Sequence, residues 1–383
     1  MKKVIDIVKE SKAGIFISLV LSFMLMFYEP LNLFVSNRSD FEFDIYCFFP
    51  FVLLQTFLSF FVLFIFFIIM RLIHKNVYKF FVVCFIICTI CTYIQGNYLA
   101  SSLPAIDGTY VNFNNFKIEK IISLILWIVV GGIILFTLYK YKFKTIEKVA
   151  KYSSIIILLM LSTSVVSFMF SKNFFKRAKL YVATTEYINQ MSNDKNYIIF
   201  ILDAVDSTTF NEEIEHLGMK EKVFADFTYF PDTLGGYPYT RDAIPFILSG
   251  KWYENEKDFD LYMTESIANS PILNKLENDN YLLNFYEQDL AGYNGENHER
   301  LRNVRETTSF DYEEMFKEEM RIIMYKYLPY QLKWKAHIDY SNISNIKGSK
   351  EVYKYNDVVN YKRIKDEILE IIDDKYFQYI HLE

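Results

Sequence analysis

The chain reads as a multi-span α-helical membrane domain followed by an α/β domain with a mostly parallel sheet. Three observations predict this. Apolar residues crowd into the first 170 positions although 23% of all 383 residues are charged, so a membrane segment is joined to a water-facing one. Five of the apolar runs are long enough, at about 20 residues each, to cross a bilayer. Beyond residue 195, short apolar runs alternate with amphipathic ones, the pattern of strands spaced by helices that cover a parallel sheet on both faces.

The spans are expected near residues 14–34, 48–70, 78–93, 121–139 and 153–170. The first is too long and uninterrupted for a cleavable signal and has no small-residue cleavage site after it, so it stays as an anchor. Lys2, Lys3, Lys9 and Lys12 precede it; Arg71, Lys75 and Lys79 separate the second and third spans; Lys140, Lys142, Lys144, Lys148 and Lys151 separate the fourth and fifth. The alternate loops carry only Arg38, Lys117 and Lys120. This asymmetry predicts a multi-pass cell-membrane protein with a cytoplasmic amino terminus and an extracytoplasmic α/β domain. Lys172, Lys176, Arg177 and Lys179 run against the rule and suit anionic headgroups met from outside. Glu29 and Gln55 are the polar exceptions within the spans. Glu29 precedes Pro30 near an outer end and reads as an interfacial, solvated carboxylate. Cys84, Cys88 and Cys91 share one helical face and read as small apolar packing residues; Cys47 completes the set, and the outer domain has no cysteine for a disulfide framework. Residues 95–116 form an outer connection containing Pro104 and Gly108.

The domains are expected at 1–172 for the membrane part, 173–194 for a linker helix and 195–383 for the α/β part. Strands are expected at 197–202, 223–230, 281–286 and 376–382, and helices at 241–248, 266–277, 312–327 and 358–372. The net charge of −5 and the absence of a basic, aromatic-interleaved patch argue against a nucleic-acid partner.

The chemistry concentrates at two residues. The strand at 197–202 runs straight into Asp203, and a carboxylate at the carboxyl end of a buried strand stands where open α/β sheets build their sites. Thr240 opens the run TRDAIPFILSG, a hydroxyl at a first helical turn whose backbone N–H groups favour phosphate. Asp203 is a hard oxygen ligand suited to a divalent cation, and Thr240 needs a metal or a base to act as a nucleophile. Ordinary roles are open to both, a solvated strand-end acid and a helix cap. Asp206 reads as a cap, and Thr233, beside Gly235 and Gly236, competes with Thr240 as the nucleophile. Arg241 has the bidentate geometry for a phosphate oxygen or serves simply as a surface residue. His74 falls in an inner loop, His216, His298 and His337 lie in polar, charged surroundings and read as surface residues, whereas His381 ends an apolar strand.

The stretches NYIIFILDAVDS, FADFTYFPDTLGGYPYTRDAIPFILSG and DNYLLNFYEQ resemble the alkaline-phosphatase/sulfatase-like superfamily, and within it the membrane-anchored envelope branch of lipoteichoic-acid synthases and phosphoethanolamine transferases. The resemblance covers residues 196–250, with weaker echoes to the end of the chain. It implies that Asp203 and Thr240 hold a divalent metal, Mn or Zn, that Thr240, ten residues before Gly250, is the nucleophile, and that Arg241 and His381 lie near substrate. The chain lacks the CxPSR or SxPSR motif of a formylglycine sulfatase. The implied activity is phospho-transfer or hydrolysis on envelope lipid or glycan phospho-esters, with the bilayer itself as a partner. The family's Asp-His pair and later His would fall after Glu383, so a truncated or inactive relative that binds envelope polymer or a partner is the alternative, and the chain alone is expected to hold metal weakly.

Overall fold

The structure, a computed structural model, describes residues 10–38, 43–104, 111–176, 180–203, 205–220, 222–287, 297–307, 310–336, 352–353 and 357–382. Lys2, Lys3, Lys9, Gly108, Arg177, Lys179, His337 and Glu383, singled out above, lie outside them. The chain is mostly helical and divides into two compact units, Met1–Ala178 with Thr308–Lys347, and Lys179–Thr307 with Gly348–Glu383.

The first unit holds five helices long and apolar enough to cross a membrane: α1 (Lys12–Ser36), α2 (Ile45–Ile73), α3 (Lys75–Ser102), α4 (Lys117–Tyr141) and α5 (Phe143–Met169). The shortest have 25 residues, about 38 Å at 1.5 Å per residue, against a hydrocarbon core of about 30 Å. Each of the five expected apolar runs lies in one of these helices, and each helix is longer than its run. The third shows why: α3 continues past Ile94 through a π-helical turn, Gln95–Leu99, and a 3₁₀ turn, Ala100–Ser102, taking up the start of the expected connection. In α1, 67% of the apolar window is buried inside the protein, against 11–33% for the others, so α1 is the hub and the remaining helices present apolar faces outward, where lipid suits them.

The hub is irregular. Phe23–Tyr28 is π-helical, a geometry that releases carbonyls from the helical ladder. No water reaches such a carbonyl in a bilayer, so another donor has to satisfy it. Gln55 Nε2 donates to the Met26 carbonyl at 3.2 Å and Thr56 Oγ1 donates to it at 2.9 Å. Gln55 and Thr56 thus both donate to the π-turn of α1.

A later helix, Tyr312–Tyr327 (α11, numbered in chain order), has the expected bounds but belongs to this first unit. Asp311 caps it, accepting from the Glu313 and Glu314 amides at 3.0 and 3.1 Å. Its buried face includes Met315, Ile322, Ile323 and Tyr327. Ile323 and Tyr327 join the apolar core of the spans, and Met315 joins a second cluster with Phe34, Phe43, Phe48 and Phe310. Glu29 is here corrected: it is 4% exposed rather than solvated. Its carboxylate accepts from Lys326 Nζ at 2.8 and 2.9 Å and from the Tyr327 hydroxyl at 2.8 Å. An acid at this depth needs a cation and a donor, and α11 supplies both. The cysteines make no disulfide, and Cys91 is buried.

The second unit is a small α/β body. Its strands are β1 (Leu180–Ala183), β2 (Gln190–Ser192), β3 (Asn196–Leu202), β4 (Tyr281–Tyr286), β5 (Val304–Thr307), β6 (Glu370–Ile372) and β7 (Lys375–Leu382). Its helices are α6 (Ser207–His216), α7 (Thr240–Ser249), α8 (Phe259–Ala268), α9 (Pro271–Asn278), α10 (Asn297–Arg300) and α12 (Asp357–Asp366). Among the described residues β3, β7 and β4 form one parallel sheet in that order, β2 pairs parallel with β6, and β1 pairs antiparallel with β5. Central β7 and its neighbour β4 are mostly buried, Phe377 and Tyr379 packing on Phe285 with the Phe285 and Tyr379 rings stacked at 4.4 Å; β3, expected to be a buried strand, is instead an edge of exposed and half-buried residues. Buried Gln378 and Asn303 tie loops to this sheet. Gln378 donates to the Ile188 carbonyl at 3.0 Å, and Asn303 donates to the Thr184 carbonyl at 3.0 Å while accepting from the Phe285 amide at 2.8 Å.

Four expectations are corrected. Residues 173–191 are not a linker helix: turns and the strands β1 and β2 occupy their described part. Apolar residues spaced like a helical face there serve β1 instead, where pairing with β5 buries Val182 and Ala183. Residues 223–230 form turns, not a strand: the Met219 carbonyl accepts from Val223 at 2.8 Å, and Phe224 packs on Phe210 and Phe227. The helix expected at 266–277 breaks into α8 and α9, because Pro271 cannot continue a helix and Ser270 caps the new one, accepting from Leu273 at 3.2 Å. The helix expected at 358–372 ends at Asp366, and Glu370–Ile372 pairs with β2 as β6.

Candidate functional site

Parallel pairing brings the carboxyl ends of β3, β7 and β4 to one edge of the sheet. Asp203 follows β3, and its amide donates to the Leu382 carbonyl of β7 at 2.9 Å, so the ladder itself fixes the backbone of the acid. His381 lies on β7 opposite Ile201. Glu287 follows β4 directly. Chemistry-bearing residues at this edge are what an open parallel sheet offers, because the loops leaving the strands diverge there.

Thr240 reaches the same edge from another direction. It is the first residue of α7, after Tyr239 in extended conformation. Tyr239 holds the N-cap position and its side chain makes no capping bond, so Thr240 stands in the first turn and is not the cap. Gly250 ends α7 with φ 67° in the left-handed region and donates to the Phe246 carbonyl at 2.7 Å. The Thr240 to Gly250 spacing is therefore the length of one helix with its glycine stop. The Thr240 hydroxyl donates to Asp203 Oδ1 at 3.3 Å; Asp203 is exposed and Thr240 half-buried. The two residues singled out from sequence thus stand in contact, separated by 37 positions in the chain.

The other expected residues are placed differently. Thr233 donates to the Phe230 carbonyl at 3.0 Å, a local turn contact. Asp206 is a helix cap, accepting from the Thr208 and Thr209 amides at 2.8 and 3.0 Å and from the Thr209 hydroxyl at 2.6 Å; these bonds, that from the Thr209 hydroxyl foremost, hold its carboxyl below the usual aspartate range. The Arg241 guanidinium lies 4.6 Å over the Phe259 ring and 3.7 Å from Asp260, with its side chain 66% exposed. His381 is 2% exposed, its Nδ1 2.7 Å from Glu287 Oε2. Sequence reading missed Glu287. The signal was an acid directly after the apolar run YLLNFY, the same relation that marked Asp203. His298 stacks on Tyr181 at 4.2 Å, and His74 caps the start of α3, accepting from the Asn76 amide at 3.1 Å.

The Asp203 and Thr240 oxygens are hard donors of the kind that suit Mg, Mn or, with nitrogen ligands, Zn. Among the described residues no group of three or more His, Cys, Asp and Glu side chains converges as a metal shell. Neither a protein-family model, nor a curated protein, nor a solved structure matches the chain.

Proposed function

We propose that this is a membrane-anchored phospho-transferase or hydrolase acting on cell-envelope phospho-esters, with Thr240 as nucleophile and an alkaline-phosphatase-like α/β domain outside the membrane. The contact between Thr240 Oγ1 and Asp203 Oδ1 carries the reading. A threonine hydroxyl is a weak nucleophile until its proton has somewhere to go, and the Asp203 carboxylate accepts that proton's hydrogen bond. As the Thr240 Oγ–P bond forms and the P–O bond to the departing alcohol breaks, Asp203 takes the hydroxyl proton and the alkoxide leaves. The amino end of α7, with its outward backbone N–H groups, favours the phosphoryl anion. Transfer of the phosphoryl group from Thr240 to a glycan hydroxyl or to water returns the enzyme. A divalent cation such as Mn or Zn, held by the Asp203 and Thr240 oxygens among others, supplies charge neutralisation and a lowered hydroxyl pKa when bound.

The test uses envelope membranes carrying the natural full-length protein, supplied with Mn²⁺ or Zn²⁺ and a phospholipid donor. Release of diacylglycerol and a phosphoryl-bearing mass on the peptide containing Thr240 are the readouts. Thr240→Ala is expected to lower turnover by on the order of 10⁴-fold or more with the melting temperature unchanged, since it removes chemistry rather than packing. Asp203→Asn is expected to lose metal affinity and turnover together, and Thr233→Ala to keep both. Full turnover in Thr240→Ala would refute the covalent step, and no turnover in the unaltered protein would favour an inactive relative that binds envelope polymer.

A further inference from the structure

Where the connections between α2 and α3 and between α4 and α5 meet the start of α1, the first unit forms an open, solvent-facing cavity of about 970 Å³. Eight lysine and arginine side chains line it, among them Lys12, Arg71, Lys75, Lys79, Lys148 and Lys151, against two acids, Glu10 and Glu147. Glu10 is already engaged by Arg71. No described carboxylate forms an ion pair with Lys12, Lys75 or Lys148.

The positive-inside rule explains lysines at this end of the bundle, but it asks only that they lie in these loops. Here they converge on a concavity with an aromatic wall. Lys79 Nζ lies 5.6 Å from the centre of the Phe143 ring and Lys151 Nζ 5.9 Å from that of Phe16, contacts that hold ammonium groups at the wall. Buried Tyr78 closes the floor, its hydroxyl accepting from the Gly14 amide at 3.2 Å. Like charges gathered around one space repel, and an anion in that space relieves them. The combination of a cationic rim, an apolar aromatic wall and a place at the end of five apolar helices fits a ligand that is anionic at its head and apolar behind it. Basic pockets between spanning helices hold such headgroups, and the volume is that of a small-ligand site.

We infer that this cavity binds the phosphodiester headgroup of an anionic phospholipid from the leaflet at that end of the bundle. The site is separate from Asp203 and Thr240 and does not depend on their chemistry.

The experiment is native mass spectrometry of the full chain released from nanodiscs of mixed phosphatidylglycerol and phosphatidylcholine, with a parallel arm in soluble glycerol phosphate. Lys75→Gln with Lys148→Gln is expected to weaken phosphatidylglycerol retention about thirtyfold, from the usual contribution of a basic residue at an anionic surface. Lys75→Arg with Lys148→Arg is expected to restore it. Lys140→Gln removes a charge from the same end but not from the cavity wall, since Lys140 Nζ sits over the Phe136 and Tyr141 rings; retention is expected to be unchanged. Equal retention by all variants, or equal loss in Lys140→Gln, would overturn the inference and leave the lysines as topology determinants. Competition by glycerol phosphate at the same concentration range would overturn the lipid assignment in favour of a free phosphate site. A melting temperature measured for each variant separates lost binding from lost fold.

Discussion

Two buried ionisable residues near the spans show how depth sets protonation. Glu319 on α11 is 2% exposed, and neither of its carboxyl oxygens has a hydrogen-bond partner by geometry among the described residues; Gln55 is the polar side chain beside it, and burial pushes its pKa up to about 8. Lys333 is fully buried beside the Tyr325 and Tyr330 rings and donates to the Lys326 carbonyl at 2.9 Å, yet desolvation pulls its pKa down to about 7. The two groups act on stability with opposite signs. Glu319 is raised above the unfolded value of about 4.3, so its contribution is present below that pH and is lost as pH rises through about 8. Lys333 is lowered from about 10.4, so its contribution is present above that pH and is lost as pH falls through about 7. The melting temperature of the purified protein is therefore expected to fall from pH 5 to a minimum between the two folded-state pKa values and to rise again towards pH 10. Glu319→Gln is expected to flatten the acid limb and Lys333→Met the alkaline one. A monotonic profile, or one unchanged by both substitutions, would remove this account.

At the scale of elements, α11 is held by close approach as much as by charge. Gly96, in the π-turn of α3, lies against the Tyr327 ring so tightly that an added methyl would overlap it. Tyr327 in turn donates to Glu29, so a displaced ring disturbs the buried carboxylate. Gly96→Ala is expected to cost about 1–3 kcal/mol, the usual range for overpacking. Limited proteolysis should then cut residues 310–336 faster than in the unaltered protein, with the α/β unit's fragments unchanged. Resistance equal to the parent would mean that the π-turn and α11 part without cost.

For the whole molecule, membrane sidedness is testable through its cysteines. All four lie at or before position 91 and none in the α/β unit. Glu213→Cys on exposed α6 is expected to react with an impermeant thiol reagent in intact cells, as the lysine asymmetry requires of an extracytoplasmic domain. Labelling only after lysis would reverse the topology and move the proposed chemistry to the cytoplasm.

What the sequence determined by itself is what depends on near neighbours. Five apolar runs became five helices long and apolar enough to cross a membrane, because a bilayer-length apolar helix needs no distant partner to satisfy its backbone. The amphipathic period of Tyr312–Tyr327 and the apolar run of Tyr281–Tyr286 gave those elements their bounds, and Asp203 and Thr240 were marked by standing at a strand end and a helix start. Local pattern failed where a distant contact outweighed it: β1, β2 and β6 are strands because of β5 and of each other, and short segments of mixed pattern take the form their pairing offers. Only the tertiary structure decided that Glu29 meets a lysine 297 positions away, that α11 packs with the long apolar helices, and that lysines from two connections and the start of α1 surround one cavity. Each of these depends on residues far apart in the chain, and a buried acid such as Glu29 carries no mark in the sequence of which distant residue will compensate it.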